Sequence, residues 1–263
     1  MPSLLTPDSP RFISVEVDNR YHFTLKRGKL LDGDSITEFL AALLATCLTD
    51  PEFVARMLQQ SGPAALAAYL ESRGFPEKMN LRVGDFGEVL AGVVLESEEA
   101  LIQPILKLRY RETSTWAMRL TDVFSIRIED DEITGFCFSS VKAGITPPPQ
   151  DVALNGYDQL VKDFNRPKPE ILFFTQERLW DARDFDQLER FDRVAALSEP
   201  VDRLYRLILV FDQEAWRESA IEQLDEHRAQ DLPDFAAYLL LGTALRDTVS
   251  ICYALAQKKY LEW

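Results

Sequence analysis

Apolar residues recur at helical spacing through much of the first third of the chain. In residues 34–48, the side chains that share one helical face are Ile36, Phe39, Leu40, Leu43 and Leu44. This spacing predicts an amphipathic helix. Two shorter helices are predicted over 51–60 and 63–74, each beginning at a proline. β-rich runs on both sides of a polar turn predict a hairpin over 11–29, before the first helix.

The middle of the chain changes to a strand pattern. After a helix predicted to begin near Asp85, β-branched and aromatic residues predict three strands over 104–112, 119–130 and 133–144. The last two strands are predicted to pair as a hairpin with Asp130 and Asp131 at its tip. Facing residues in such a hairpin have numbers that sum to about 261, which would place Asp122 near Ser139.

Helix and strand patterns alternate through the rest of the chain. Helices are predicted over 150–165, 184–197, 214–229 and 246–259, and strands over 171–176, 203–212 and 235–242. This alternation indicates an α/β fold with an undetermined strand order. We divide the chain into an N-terminal hairpin and helical region, 1–80, and an α/β core with C-terminal helices, 81–263. A single domain is also compatible with the pattern.

The charge of the chain argues against simple binding to DNA. With 29 Lys and Arg against 43 Asp and Glu, the formal net charge is −14, which repels a phosphate backbone unless a local basic patch or a partner intervenes. The three cysteines are far apart and lie in apolar segments, so we expect them to be buried in a reducing compartment. We find no targeting segment and no transmembrane segment. We therefore expect a soluble cytoplasmic protein with no membrane contact.

Four residues in the middle third suggest a site for metal-dependent chemistry: Glu88, Asp122, Ser140 and Lys142. The predicted hairpin brings Asp122 near the Ser140–Lys142 end of the next strand, where residues 140 and 142 share a face. Mg²⁺ or Mn²⁺ prefers oxygen ligands, and a nearby lysine orients a water for attack on phosphorus. Glu88 and Asp122 are the candidate metal ligands, and Lys142 is the candidate catalytic cation.

Structural explanations of the same residues stay open. Glu88 would only stabilise a helix start if that helix begins near Asp85. Asp122 would form a structural ion pair if Arg119 or Arg127 faces it. Lys142 taken alone would be an ordinary lysine at a strand end. The prediction therefore depends on the combination of residue types and not on any single residue.

Basic residues alternate along the first of the three predicted strands. Lys107, Arg109 and Arg111 would all point to one face of that strand. Such a stripe suits contact with DNA phosphates. A solvated edge strand whose charges oppose aggregation has the same pattern. Both interpretations, DNA contact and a solvated edge, stay open.

Three short motifs around the candidate site residues resemble those of a known family. The sequence Gly84-Asp85-Phe86-Gly87-Glu88, then Thr121-Asp122-Val123, then Val141-Lys142 before Ala143 resembles the PD-(D/E)xK nuclease superfamily, and within it the HamA subunit of Hachiman anti-phage systems. The resemblance implies a restriction-endonuclease-like mixed sheet core with helical N-terminal and C-terminal decoration. It also implies an Mg²⁺-dependent phosphodiesterase that acts on DNA with a helicase partner similar to HamB.

One position departs from that family pattern. Ser140 stands where the superfamily has an acidic residue two positions before the lysine, and a hydroxyl is a neutral, weaker metal ligand. Some superfamily members with serine at this position recruit a carboxylate from the next helix. Asp158 is the candidate for that relocated acid here, and Asp151 is a poorer one.

Two functions follow from these residues together with the resemblance, which alone implies the anti-phage role and the helicase. The first is a metal-dependent DNA endonuclease effector subunit of a bacterial anti-phage complex, in which a helicase delivers the DNA or restrains cutting. The second is a catalytically weak or inactive nuclease-like subunit that binds and regulates the helicase, and Ser140 favours it. The acidic composition fits both functions, because each includes a partner.

Overall fold

A computed structural model places a single seven-stranded mixed sheet at the centre of the molecule, with strand order β1-β2-β7-β6-β5-β4-β3. The structure describes residues 3–70, 72, 75–111, 121–165, 170–195, 201–227 and 231–262. The strands are β1 (Ile13–Asp18), β2 (Thr24–Leu30), β3 (Leu101–Ile102), β4 (Val123–Glu129), β5 (Glu132–Gly144), β6 (Asp202–Asp212) and β7 (Phe235–Gly242).

Eight α-helices are described around this sheet. They are α1 (Asp34–Leu48), α2 (Pro51–Tyr69), α3 (Met79–Glu99), α4 (Val152–Asn165), α5 (Glu170–Asp181), α6 (Phe185–Ala195), α7 (Ser219–Glu226) and α8 (Leu245–Glu262). Gly62 has non-helical backbone angles immediately before Pro63, so α2 consists of two helical pieces. This agrees with the two shorter helices predicted for this region.

The central strands of the sheet are parallel, and helices cover both of their faces. β2, β7, β6 and β5 form the parallel part of the sheet, and the antiparallel pairs β1–β2, β4–β5 and β3–β4 lie toward its two edges. Most of β6 is buried, as its nearly continuous apolar sequence requires in a parallel sheet. The α/β class is confirmed, and β2 of region 1–80 pairs with β7 of region 81–263.

Helices pack on the sheet in two layers. One face is covered by α1, α3 and α8, whose apolar side chains form the largest core cluster. The opposite face carries α4 and α7, and the α5–α6 hairpin lies over β4 and β5. The three cysteines are buried, as predicted. This arrangement leaves β5 between α3 on one face and α4 on the other.

Two of the predicted strands are wrong. Residues 107–110 form a short 3-10 helix in place of the strand predicted over 104–112. Residues 171–176 lie in helix α5. Polar residues follow the apolar run, and the helix buries one face, formed by Ile171, Thr175 and Leu179. A short apolar run does not by itself distinguish a strand from a buried turn of helix.

The β4–β5 hairpin forms as predicted, with a shift of one residue. Asp130 and Asp131 both have positive φ, as a tight two-residue turn requires. A bulge between Arg127 and Ile128 then changes the pairing, so that Val123 faces Ser139. Continued by one position, this register puts Asp122 opposite Ser140 and not Ser139. The predicted pairing of Asp122 with Ser139 is therefore wrong by one residue.

A buried charge network fixes the C-terminal end of α3 to the sheet. Arg206 on β6 donates three hydrogen bonds to the Glu99 carboxylate, two from Nε at 2.9 Å and 3.1 Å and one from Nη2 at 2.7 Å. Tyr238 on β7 also donates to Glu99, and the Lys26 ammonium lies 3.4 Å away. Burial disfavours the ionised form of Glu99, but the hydrogen bonds and charge of Arg206 outweigh it and lower the pKa of Glu99 to about 2.

We expect Glu99→Gln to remove an acid-sensitive part of the folding free energy. The pKa of Glu99 is lower in the folded protein than its ordinary value of 4.5, so the ionised carboxylate stabilises the fold above that pH. The stabilisation is lost as the pH falls toward 2. The free energy of unfolding of the wild type should exceed that of Glu99→Gln by about 2 kcal/mol at pH 7, and the difference should shrink with acid.

Urea unfolding at several pH values, followed by circular dichroism, measures this difference. Glu98→Gln is the matched control, because Glu98 is the exposed neighbour of Glu99 on the same helix. A difference between wild type and Glu99→Gln that does not vary with pH would contradict the assignment.

Candidate active site

Glu88 lies in the middle of α3, where the helix comes very close to β5. A Cβ atom built on Gly87 would lie 2.7 Å from the Cβ of Ala143, so only glycine allows this close approach. Because α3 begins at Met79, Glu88 is about two and a half turns inside the helix. The interpretation of Glu88 as a carboxylate near the helix start is therefore wrong.

The Glu88 carboxylate forms an ion pair with Lys107. Lys107 Nζ lies 2.9 Å from Glu88 Oε2, and both side chains are largely buried. Burial raises the pKa of Glu88, Lys107 lowers it and the negative charge of Asp122 raises it, and together these effects bring the pKa to about 7. Glu88, Lys107 and Asp122 line one small cleft. The site therefore concentrates two carboxylates and one ammonium.

Asp122 is held at the start of β4 by the backbone of the neighbouring strand. The amide of Val141 donates a hydrogen bond of 2.8 Å to Asp122 Oδ2. Arg127 forms its ion pair with Asp202 at 3.6 Å, so it is not the partner of Asp122 that a structural ion pair required. Arg119 lies outside the described residues. The bond to Val141 fixes the Asp122 carboxylate to the backbone of β5 between Ser140 and Lys142.

Lys142 lies on the face of β5 that α4 covers, opposite to the face on which Val141 and Ala143 meet Gly87 of α3. Among the described residues, no hydrogen bond or ion pair joins Lys142 to Glu88 or Asp122. A Cβ atom on Gly156 of α4 would lie 3.4 Å from Lys142 Cε, so the glycine leaves room for the lysine stem. Lys142 Nζ donates a hydrogen bond of 3.0 Å to Gln159 Oε1. The Ser140 hydroxyl is buried and has no hydrogen-bond partner among the described residues. Lys142 is thus oriented by a neutral amide.

The carboxylate predicted to come from helix α4 does not lie beside Lys142. Asp158 is exposed on α4, and Asp151 is exposed before the helix begins. The neighbouring residue Gln159 is the one that contacts Lys142. Because adjacent helical residues point about 100° apart, contact by Gln159 turns Asp158 toward solvent.

The predicted stripe of DNA-contacting cations is not formed. Lys107 pairs with Glu88, and Arg109 pairs with Asp50 at 3.0 Å. The third cation, Arg111, pairs with Asp85, and Lys107 and Arg111 are buried. The common strand face that the prediction required is absent, because residues 107–110 form a 3-10 helix and each cation turns inward to a different carboxylate.

The donor set suits a hard divalent cation. The Asp122 charge raises the pKa of Glu88, so the two carboxylates repel each other and their electrostatics favour a cation between them. Mg²⁺ is usually bound by one or two carboxylates together with waters and substrate phosphate. Within the part of the chain that the structure describes, no group of three His, Cys, Asp or Glu residues could hold a metal ion. Glu88 and Asp122 would therefore need oxygen ligands from water or substrate.

Two residues of this site were missed as site residues in the sequence. The alternating pattern predicts that Lys107 contacts DNA, whereas its ammonium lies 2.9 Å from the carboxylate of Glu88 and 3.2 Å from the carbonyl oxygen of Thr121. The acidic residue type favours Asp158, whereas its neighbour Gln159 makes the contact with Lys142. The helical spacing of Gly156 and Gln159, three residues apart on one face, is the only sequence signal that favoured Gln159.

Comparison with known proteins places the chain in a family. No curated protein matches it. None of the helices in the described parts of the chain is both long and apolar enough to cross a membrane. The sequence model of the HamA family matches residues 11–259, which include the whole sheet and every residue of the candidate site. The chain belongs to the HamA family.

Proposed function

We propose that this protein is a metal-dependent DNA endonuclease subunit of an anti-phage defence complex that includes a helicase. One observation carries the proposal: the carboxylates of Glu88 and Asp122 line a common cleft, and the backbone that binds Asp122 leads directly to Lys142. Membership of the HamA family supports the role in anti-phage defence.

The order of elements supports the nuclease assignment. Helix α3 is followed by the antiparallel strands β3, β4 and β5, then by helices α4, α5 and α6 and by strand β6, which is parallel to β5. The candidate residues lie on α3, before β4 and on β5. This is the arrangement that the resemblance to PD-(D/E)xK nucleases implies, with β1, β2, β7 and the remaining helices added around it.

Each residue of the site has a distinct task in this proposal. Glu88 and Asp122 would hold Mg²⁺ or Mn²⁺, which when bound supplies Lewis acidity at a phosphodiester oxygen. Lys142, oriented by Gln159, would position the attacking water and stabilise negative charge that develops on the phosphate. Ser140 supplies no charge, so the site has one carboxylate fewer than the family pattern.

The proposed partner supplies the positive charge for DNA binding that this acidic protein lacks. The net charge of −14 repels DNA, and the three cations predicted to contact DNA are engaged in ion pairs with Glu88, Asp50 and Asp85. A helicase that binds and moves DNA would bring the substrate to the cleft. The proposed location of this complex is the bacterial cytoplasm, where phage DNA is accessible.

Cleavage assays test the proposal directly. The purified chain, with and without the helicase subunit, is incubated with linear and plasmid DNA in Mg²⁺ or in a chelator. We expect cleavage that requires both Mg²⁺ and the helicase. Unchanged DNA in all of these conditions, or cleavage that persists in the chelator, would overturn the proposal.

A second candidate function is that of a non-catalytic subunit that binds and regulates the helicase. Ser140 favours it, and so does an exposed aromatic face on the α5–α6 hairpin. Phe173, Trp180 and Phe185 are 64%, 63% and 51% exposed, and the rings of Trp180 and Phe185 are 5.5 Å apart. Residues 170–195 carry seven acidic and four arginine side chains, which suits a partner with a basic rim around an apolar pocket.

We expect Trp180→Ala combined with Phe185→Ala to weaken helicase binding by at least about 30-fold, the effect of removing an aromatic hot spot at an interface. Isothermal titration of the purified subunits measures the affinity. Ile251→Ala is the control, because Ile251 is 50% exposed on α8, away from the hairpin. Equal affinities for the wild type and the double variant would eliminate this face as the interface.

A further inference from the structure

Lys107 occupies a position in the candidate site that a bound cation would share. Its ammonium lies 2.9 Å from Glu88 Oε2 and donates a hydrogen bond of 3.2 Å to the carbonyl of Thr121, the residue before Asp122. The Lys107 residue is only 8% exposed. It also lines both of the small clefts that meet at Asp122. The ammonium is therefore the positive charge nearest to the carboxylate of Glu88 among the contacts described.

A lysine is buried in this way only when its charge is compensated. The Glu88 carboxylate supplies that compensation, and Lys107 in turn lowers the pKa of Glu88 against the effect of burial. A divalent cation bound to Glu88 would repel an ammonium that contacts the same carboxylate. Lys107 and a metal ion therefore compete for Glu88.

The rest of the 3-10 helix does not need to move for Lys107 to leave. Arg109 anchors the segment through its ion pair with Asp50 and a hydrogen bond of 2.8 Å to the carbonyl of Thr46. Tyr110 packs edge-on against Phe174 of α5. The flexible four-carbon stem of lysine can reorient while the backbone stays fixed. The second cleft, which contains Phe174 and Thr175, adjoins Lys107 on the side toward α5.

We infer that Lys107 is the resident counter-ion of Glu88, beside Asp122, and that a divalent cation binds to Glu88 only when the lysine ammonium withdraws from it. The inference rests on the proposed function, because it concerns the same carboxylates. It adds that the Lys107 ammonium occupies the position beside Glu88 that a metal ion would take. Metal affinity is thus set by the position of one lysine as well as by the ligands.

Mn²⁺ binding to the purified full chain at pH 8 tests the inference, with isothermal titration as the readout. We expect Lys107→Met to bind Mn²⁺ at least about tenfold more tightly than the wild type, because the competing charge is removed. Lys107→Arg keeps the charge and should stay within about threefold of the wild type. Asp122→Asn should bind Mn²⁺ more weakly than either. Thermal melting confirms that each variant folds, and Lys107→Gln replaces Lys107→Met should that variant fail.

The outcomes separate this inference from the proposed function. Equal or weaker Mn²⁺ binding by Lys107→Met, with measurable binding by the wild type, overturns the competition and leaves the metal site intact. An absence of Mn²⁺ binding in the wild type and in every Lys107 variant overturns the metal site itself, and with it both proposals.

Discussion

Asp122→Asn should slow Mg²⁺-dependent DNA cleavage by the complex about 1,000-fold, the cost of removing one charged group from a site that stabilises a phosphoryl transition state. The substitution keeps the size of the side chain and an oxygen that can accept from the Val141 amide, now 2.8 Å from Oδ2. It removes the negative charge that faces Glu88. Lys142→Ala should have an effect of similar size, because the side chain held by Gln159 is then lost.

Initial cleavage rates of plasmid DNA, measured with saturating helicase, give both effects. Glu129→Gln is the matched control, because Glu129 is an exposed carboxylate at the opposite end of β4 and should leave the rate unchanged. Binding of each variant to the helicase should stay at the wild-type value. A rate that survives both Asp122→Asn and Lys142→Ala would remove these residues from the reaction and favour the regulatory subunit.

The geometry around Asp122 illustrates how far a local pattern carries a prediction. The hairpin could be predicted because Asp130 and Asp131 tolerate the positive φ of a tight turn. The bulge opposite Arg127 and Ile128 lies beside Gly135. A glycine within a strand often marks a bulge, but its presence alone does not give the change of register. It matters for the site, since facing residues on paired strands share a face of the sheet. The shift of one residue puts Asp122 on the same face as Ser140 and Lys142.

The cations of residues 107–111 illustrate the opposite case. Their alternation is a valid strand pattern, but it is overridden by carboxylates that are distant in sequence. On α3, Glu88 forms an ion pair with Lys107, and Asp85 forms one with Arg111. Asp50, before α2, forms an ion pair with Arg109. Burial of the carboxylates of Glu88 and Asp85 needs a compensating charge, and that requirement depends on how α3 packs. Local spacing contains no information about these pairings.

The pair formed by Asp85 and Arg111 leads to the largest expected effect on stability. Their side chains are 6% and 3% exposed, and the Tyr253 hydroxyl donates a hydrogen bond of 3.3 Å to Asp85 Oδ2. Asp85→Asn leaves the Arg111 guanidinium buried without a counter-charge. We expect the free energy of unfolding to fall by about 3–5 kcal/mol, the usual cost of removing one partner from a buried ion pair.

Removal of both charges should restore most of that loss. Asp85→Leu combined with Arg111→Met replaces the pair by apolar side chains, and such replacements in other proteins are neutral or stabilising. The free energy from urea unfolding separates the two effects. Asp131→Asn is the control, because its ion pair with Arg190 is exposed and should change stability by less than about 1 kcal/mol. If the double variant is as unstable as Asp85→Asn, an uncompensated charge does not explain the loss of stability. The packing of the Asp85 and Arg111 side chains would then be the cause. Restored stability would instead identify charge compensation as the reason why Arg111 is buried against α3.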